Sequence, residues 1–248
     1  MKKVIAILAA AGIGKRFGRD KNKLFYLLAG KPILIWSLEL LQSVPEITEI
    51  IPVVKEEDLM MSAELTEKYG IRKVKQIVPG GKERQDSVYC GLRAIADDKA
   101  IVLIHDGGRP FADGEMIANA VREIEGCDGV VAGVPVKDTI KEATDDTGTL
   151  DVDKVFVSRT LDRSVLYAIQ TPQIFPFKII MEAHEKARDD RFVGTDDASL
   201  VERCGGRVKI VAGSYRNIKI TTAEDIYVAE ALLRIQESGL GQRTCASA

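Results

Sequence analysis

The chain has 248 residues, 46% of them hydrophobic, and a formal net charge of −2. That is enough apolar material for one sizeable α/β domain, and the near-neutral balance argues against nucleic acid as a partner. No apolar run reaches the roughly 20 residues of a membrane-spanning helix, and Cys90, Cys127, Cys204 and Cys245 form no CxxC pair, which with only two histidines argues against zinc or a His-rich metal site.

The N-terminus, Met1-Lys2-Lys3, opens directly onto the apolar run 4–8, too short for a signal-peptide core but right for one buried strand, and a cytoplasmic location is expected. Residues 9–23 follow, reading AAAGIGKRFGRDKNK, with Gly12, Gly14 and Gly18 among them and the cations Lys15, Arg16, Arg19, Lys21 and Lys23 close behind. Glycines let a backbone approach a ligand and turn its N–H groups inward, and Lys and Arg beside such a loop suit a polyphosphate. The working reading is a loop that holds a nucleoside triphosphate. It is not a P-loop, which needs four residues between its glycines and then Lys-Ser or Lys-Thr, and it is not the dinucleotide fingerprint, because Phe17 stands where the third small residue belongs. The plainer reading is a tight strand-to-helix turn with a solvated basic edge.

Further along, apolar runs alternate with amphipathic stretches, the pattern of a mostly parallel sheet with helices on both faces. Gly30-Lys31-Pro32 opens a largely buried helix over 33–41, and strands are expected at 47–54 and 74–78, with a helix over 56–69 between them. The second of these strands ends in Pro79-Gly80-Gly81, and the next helix begins near Asp86-Ser87, so that a base or phosphate could pass beneath the glycines. Residues 100–104 read as a buried strand running into His105-Asp106-Gly107-Gly108-Arg109. A carboxylate at such a strand tip sits where open α/β sheets bind ligands, and Asp106 is a plausible Mg²⁺ ligand. Arg109 could meet an anion; an Asp–Arg pair bracing the loop is the alternative. Asp113 caps a helix to about residue 125, and a strand covers 129–136.

The pattern then breaks. Residues 137–160 read as two polar β-runs, around Thr139-Ile140-Lys141 and Val155-Phe156-Val157, joined by a turn near Gly148. An isolated two-stranded ribbon is marginal in water, so this arm is expected to pack on a partner subunit. A short strand at 166–170, helices at 176–187 and 196–204, an edge strand at 208–211 and a second short strand at 217–221 complete the sheet. Thr222 could cap a last helix over 223–236, and residues 238–248 read as a disordered tail. The whole is expected to be a single domain over 1–237 with a protruding β-arm.

Taken together, AAAGIGKRFG, NKLF, LAGKPIL, GGKERQDSV, HDGGRPF, VPVKDTIK, QTPQIF, TDDASLVE and NIKIT, in this order along the chain, resemble the 2-C-methyl-D-erythritol 4-phosphate cytidylyltransferase family. The resemblance implies a Rossmann-like sheet of the nucleotidyltransferase type and a homodimer whose arms reach across to the partner. It implies that CTP and the sugar alcohol phosphate react, with Mg²⁺ or another divalent cation, to give the CDP-linked alcohol and pyrophosphate. Carried over by motif, Ala10, Ala11, Gly12, Gly14, Gly81 and Ser87 line the cytidine and triphosphate site. Arg16, Lys23 and Lys219 meet the phosphates, Asp106 holds the metal or a hydroxyl, and Arg109 lies close by. Thr139 and Arg163, from the partner's arm, grip the substrate phosphate, with Thr171 and Thr195 helping to orient it. The chain departs from the family pattern at Ala9, at Asn22-Lys23 and at Gly107-Gly108, and Lys82 stands where the family has an acid. A ribitol 5-phosphate cytidylyltransferase is the nearest rival, against which RQDSV, VPVKDT and DDASLVE lean; a catalytically silent nucleotide-binding protein on the same fold is the rival from another class.

Overall fold

The computed structural model describes residues 2–12, 22–144 and 155–237. In chain order the elements are β1 (Val4–Ala9), β2 (Leu27–Leu28), β3 (Lys31–Pro32), α1 (Ile33–Ser43), β4 (Ile47–Val54), α2 (Leu59–Lys68), β5 (Val78–Pro79), α3 (Arg84–Arg93) and β6 (Ile101–Asp106). After these come α4 (Gly114–Arg122), β7 (Gly129–Pro135), β8 (Lys141–Thr144), β9 (Phe156–Thr160), β10 (Tyr167–Pro176), α5 (Phe177–Asp189), α6 (Asp197–Arg203), β11 (Val208–Ala212) and α7 (Glu224–Glu237).

Seven strands form one sheet in the order β11-β7-β10-β6-β1-β4-β5. β1 runs parallel to both β4 and β6, and β7 parallel to β11, whereas β10 enters antiparallel between β6 and β7. The expected mostly parallel α/β sheet is therefore present, with one reversed strand at its heart. Helices cover both faces, as continuous apolar strands require. Along β1, Val4, Ala6 and Leu8 join the core that includes α1, α4 and α7, while Ile5 and Ile7 join the opposite core beneath α3, α5 and α6. Among the described residues no helix is long and apolar enough to cross a membrane.

Several expected elements differ in extent. The strand expected at 74–78 contracts to Val78–Pro79, with Val74 keeping only an isolated bridge to Ile50. At the sheet's edge it has a neighbour on one side only, and its polar residues Lys75 and Gln76 do not extend the ladder. α3 starts at Arg84, two residues earlier than expected, because the Asp86 carboxylate accepts from the Glu83 N–H and closes the turn ahead of it. The strand expected at 166–170 continues to Pro176. The strand expected at 217–221 does not form: Ile220 donates its N–H to Gly108 across 2.8 Å, but the segment lacks a ladder.

The ribbon is present as the antiparallel pair β8–β9, with Lys141 opposite Thr160 and Thr144 opposite Phe156. Both strands are exposed along their whole length, Phe156 at 70% and Val157 at 62%. Its expected turn near Gly148 and the expected tail at 238–248 lie outside the described residues.

Candidate active site

The carboxyl ends of β1 and β6 open onto a cleft of about 360 Å³. One wall is the start of the glycine loop. Ala10 leaves β1 with its N–H bonded to the Val53 carbonyl at 2.8 Å, and Ala11 and Gly12 follow along the rim. The facing wall is Gly80-Gly81 and the first turn of α3. A Cβ built on Gly80 would stand 2.4 Å from the Ala11 Cβ and 2.8 Å from Ser87 Oγ, so only glycine lets these segments meet. Ser87 is buried; its Oγ donates to the Glu83 carbonyl at 3.0 Å and accepts the Gly81 N–H at 3.2 Å. The result is a narrow slot lined by small residues, with N–H groups at the helix start on one side. Such a slot accommodates a flat base and a phosphate chain.

The floor is charged. Asp106, the last residue of β6, is buried, and three cations converge on its carboxylate. Arg84 Nε is 3.0 Å from Oδ1, Lys219 Nζ is 2.7 Å from Oδ2, and Arg109 Nε lies 3.6 Å from Oδ2. Burial alone would raise the Asp106 pKa, but Arg84, Lys219 and Arg109 more than offset it and hold the group well below the usual carboxylate range. It is an anion at any working pH. Arg84 also reaches Asp197 Oδ2 at 2.7 Å. Burial would lower the Arg84 pKa, yet Asp197 and Asp106 together drive it upward, so the guanidinium stays charged.

Two lysines from opposite ends of the chain meet here. Lys23 is set by Asn22, whose side-chain oxygen accepts the Leu24 N–H at 3.1 Å while its Nδ2 donates to Asp58 at 2.9 Å. Lys23 Nζ then donates to the Ile220 carbonyl at 2.5 Å. Lys219 sits in the irregular 217–221 segment, which is pinned on both sides. Asn217, fully buried, donates to the Thr171 carbonyl at 2.8 Å, and the Asp225 carboxylate accepts the N–H groups of Thr221 at 2.6 Å and Thr222 at 2.8 Å. Side-chain contacts thus replace the expected strand, and they aim Lys219 at Asp106.

Of the residues expected in the site, Ala10, Ala11, Gly12, Lys23, Gly81, Ser87, Asp106 and Lys219 line this one cleft. Gly14 and Arg16 lie outside the described residues. Arg109 is turned inward: its Nη1 donates to the Asn217 carbonyl at 2.6 Å, so it braces Asp106 from behind rather than facing the cleft. Thr171, expected to orient substrate, is buried at 4% exposure. Its Oγ1 accepts the Asp106 N–H at 3.1 Å and bonds His105 Nδ1 at 3.0 Å, so the hydroxyl is spent on the end of β6. Thr139, Arg163 and Thr195 are exposed, and none lines the cleft of its own chain; Arg163 donates to the Lys137 carbonyl at 2.7 Å. Arg84 and Asp197 are absent from the sequence-based expectations. Arg84 stands three residues after Gly81 in GGKERQDSV, a cation beside a glycine turn, and that signal was available.

An open α/β sheet that gathers a small-residue loop, a double glycine, one buried carboxylate and two distant lysines at its strand ends defines a nucleotidyltransferase. The sequence profile of 2-C-methyl-D-erythritol 4-phosphate cytidylyltransferase matches residues 4–235. The chain therefore belongs to the 2-C-methyl-D-erythritol 4-phosphate cytidylyltransferase family. It is 45% identical over 243 residues to the protein of that name from Pelotomaculum thermopropionicum, covering 98% of this chain and 99% of the relative. The crystal structure of 4-diphosphocytidyl-2C-methyl-D-erythritol synthase from Anaerococcus prevotii superimposes with a TM-score of 0.80 at 36% identity, covering 94% of this chain and 96% of that one. The Thermus thermophilus cytidylyltransferase superimposes with a TM-score of 0.72 at 27% identity, over 94% of this chain and 100% of that one.

Proposed function

We propose that this chain transfers the cytidylyl group of CTP to 2-C-methyl-D-erythritol 4-phosphate, giving 4-diphosphocytidyl-2-C-methyl-D-erythritol and pyrophosphate on the route to isoprenoids. The observation that carries the reading is the convergence of Lys23 and Lys219, 196 positions apart in sequence, on one small-residue cleft floored by Asp106. A phosphate oxygen of the acceptor attacks the α-phosphorus in line, a new P–O bond forms, and the bond to the pyrophosphate oxygen breaks. An anion attacks an already charged centre, so the barrier is electrostatic and little proton transfer is needed. Lys23, Lys219 and Arg16 are assigned to the charge that builds on the phosphate oxygens. Ala10, Ala11, Gly12, Gly14, Gly81 and Ser87 are assigned to the nucleotide.

A divalent cation fits this cleft on one condition. Among the described residues no group of three or more His, Cys, Asp and Glu could hold a metal, and both Asp106 oxygens already face cations. The site therefore suits an ion that arrives on the triphosphate, with Asp106 as its protein ligand and phosphate oxygens and water as the rest. When bound, Mg²⁺ neutralises charge on the phosphates and on the pyrophosphate that leaves.

Thr139 and Arg163 are assigned to the acceptor phosphate of the partner's cleft in a homodimer. Support comes from the exposure of the whole β8–β9 ribbon and from Phe156 and Val157 upon it, since such a ribbon is not stable alone in water. We assign the reaction to the cytoplasm, a compartment that supplies CTP. The test is a pyrophosphate-release assay with each of the four nucleoside triphosphates against 2-C-methyl-D-erythritol 4-phosphate and ribitol 5-phosphate. Turnover is expected with CTP and the first acceptor; equal or faster turnover with ribitol 5-phosphate rejects the assignment.

A further inference from the structure

We propose that Arg84 is a positioning residue for the transfer step, held from behind by Asp197 and His184, and that it sets which oxygen of Asp106 is left to receive Lys219. The proposal rests on the cytidylyl-transfer reading above. Five side chains, from α5, α6, α3, β6 and the 217–221 segment, form one line toward the cleft. His184 on α5 donates Nε2–H to Asp197 Oδ1 at 3.2 Å, and Arg84 Nη1 on α3 donates to Asp197 Oδ2 at 2.7 Å. Arg84 Nε then donates to Asp106 Oδ1 at 3.0 Å, and Lys219 Nζ takes the remaining Oδ2 at 2.7 Å. His184 and Asp197 are sealed from solvent, with 0% and 1% side-chain exposure, while Arg84 keeps 30% and lines the cleft.

The geometry gives each member a distinct task. Asp197, a buried carboxylate, is filled on one oxygen by a histidine and on the other by Arg84, so the guanidinium has a single low-energy orientation. A planar fork held at one end presents its Nε at a fixed point. That point fixes Asp106 Oδ1 and leaves only Oδ2 toward Lys219. Without the fork, Oδ1 loses its partner, Arg109 at 3.6 Å from Oδ2 is the brace that remains, and the carboxylate can tilt and draw Lys219 away from the phosphate. Arg84→Lys keeps the charge but cannot bridge two carboxylates, so charge and orientation are separable by substitution.

A bland reading competes: Arg84–Asp197 as a buried ion pair that only pins α3 against α6. The two diverge in kinetics. For positioning, Arg84→Lys in folded protein lowers kcat by roughly 10²-fold, the scale on which a small misplacement acts, with the CTP KM within about 3-fold of the parent. Asp197→Asn, which touches nothing in the cleft, lowers kcat in the same direction by a smaller factor. Because Arg84 acts through Lys219, adding Arg84→Lys to Lys219→Ala costs little beyond Lys219→Ala alone. All variants are compared at matched circular dichroism, with thermal unfolding measured beside kcat and KM. Folded Arg84→Lys with parental kcat, losses that multiply in the double variant, or the failure of both Arg84→Lys and Asp197→Asn to fold each overturns the positioning role. The parent enzyme is the control that separates the two readings: its inactivity with CTP and the alcohol phosphate overturns the functional assignment itself, whereas an active parent with an indifferent Arg84→Lys overturns only this proposal.

Discussion

The ammonium of Lys23 lies 2.5 Å from the carbonyl of Ile220, the residue next to Lys219, so one contact ties the end of the glycine loop to the segment that carries the second lysine. The pairing has a direct kinetic consequence. Removing either lysine takes one charge donor from the developing phosphate charge, and such donors are worth about 10²–10³ in rate. Lys23→Ala and Lys219→Ala are each expected to lower kcat on that scale while leaving the unfolding transition within a few degrees of the parent. Steady-state kinetics and a thermal melt decide; near-parental turnover in both variants contradicts the assignment.

The metal should follow the nucleotide. Both Asp106 oxygens are engaged by Arg84 and Lys219, and the cleft offers no second carboxylate cluster among the described residues. Calorimetric titration of the protein with Mg²⁺ alone is expected to show no saturable binding in the millimolar range, and binding should appear once CTP is present. Chelation by EDTA is expected to abolish turnover and Mg²⁺ to restore it. Tight Mg²⁺ binding without nucleotide contradicts this order.

The ribbon offers a test across subunits. Phe156 and Val157 stand exposed on β9, and a charge there disfavours burial in any interface. Phe156→Asp is expected to shift sedimentation from dimer to monomer, and activity should fall with the dimer fraction. Arg163→Ala is expected to leave the dimer intact and to raise the KM for the alcohol phosphate more than that for CTP. A rise confined to the CTP constant shows that the arm serves another role.

Acid should weaken the fold through His105. The ring is buried, and burial pushes its pKa from the ordinary 6.5 down to about 4. Its partners agree with a neutral ring: the Arg109 carbonyl can only accept, so Nε2 carries the proton toward it at 3.0 Å, and Nδ1 accepts from the Thr171 hydroxyl, which itself takes the Asp106 N–H. Because the folded value is depressed, the unfolded chain binds the extra proton first. The stabilisation is complete above pH 6.5 and is lost as pH falls toward 4, by about 3 kcal/mol in all. Asp106, held far below its unfolded value, adds to the loss only below pH 4. Urea midpoints between pH 4.5 and 8 should slope accordingly, and His105→Gln should flatten the slope in that window.

How far the sequence revealed this arrangement depended on the range of the interactions involved. β1, β4, β6 and β7 were legible because unbroken apolar runs have few other uses, and the loop of small residues after β1 pointed to the cleft. The segment around Lys219 alternates like a strand but is fixed by Asn217 on Thr171 and by Gly108, long-range contacts that no local pattern displays, together with Asp225 at the start of the next helix. Arg84 is marked locally only as a cation beside a glycine turn; its pairing with Asp197, 113 positions away, has no local signature. The resemblance assigns Thr171 to substrate, and Arg109 is open between an anion contact and a brace for Asp106; the structure turns both inward, behind Asp106.

β10 runs from exposed Tyr167, next to the root of the ribbon, to the middle of the sheet, where Thr171 grips the backbone of Asp106 and receives Asn217. A single strand therefore spans from the periphery to the reacting centre, with its ladder to β7 interrupted between Ile169 and Gln173. The strand that borders the ribbon's root is thus also the one whose inner residues hold the carboxylate, and changes in assembly and in turnover share that path.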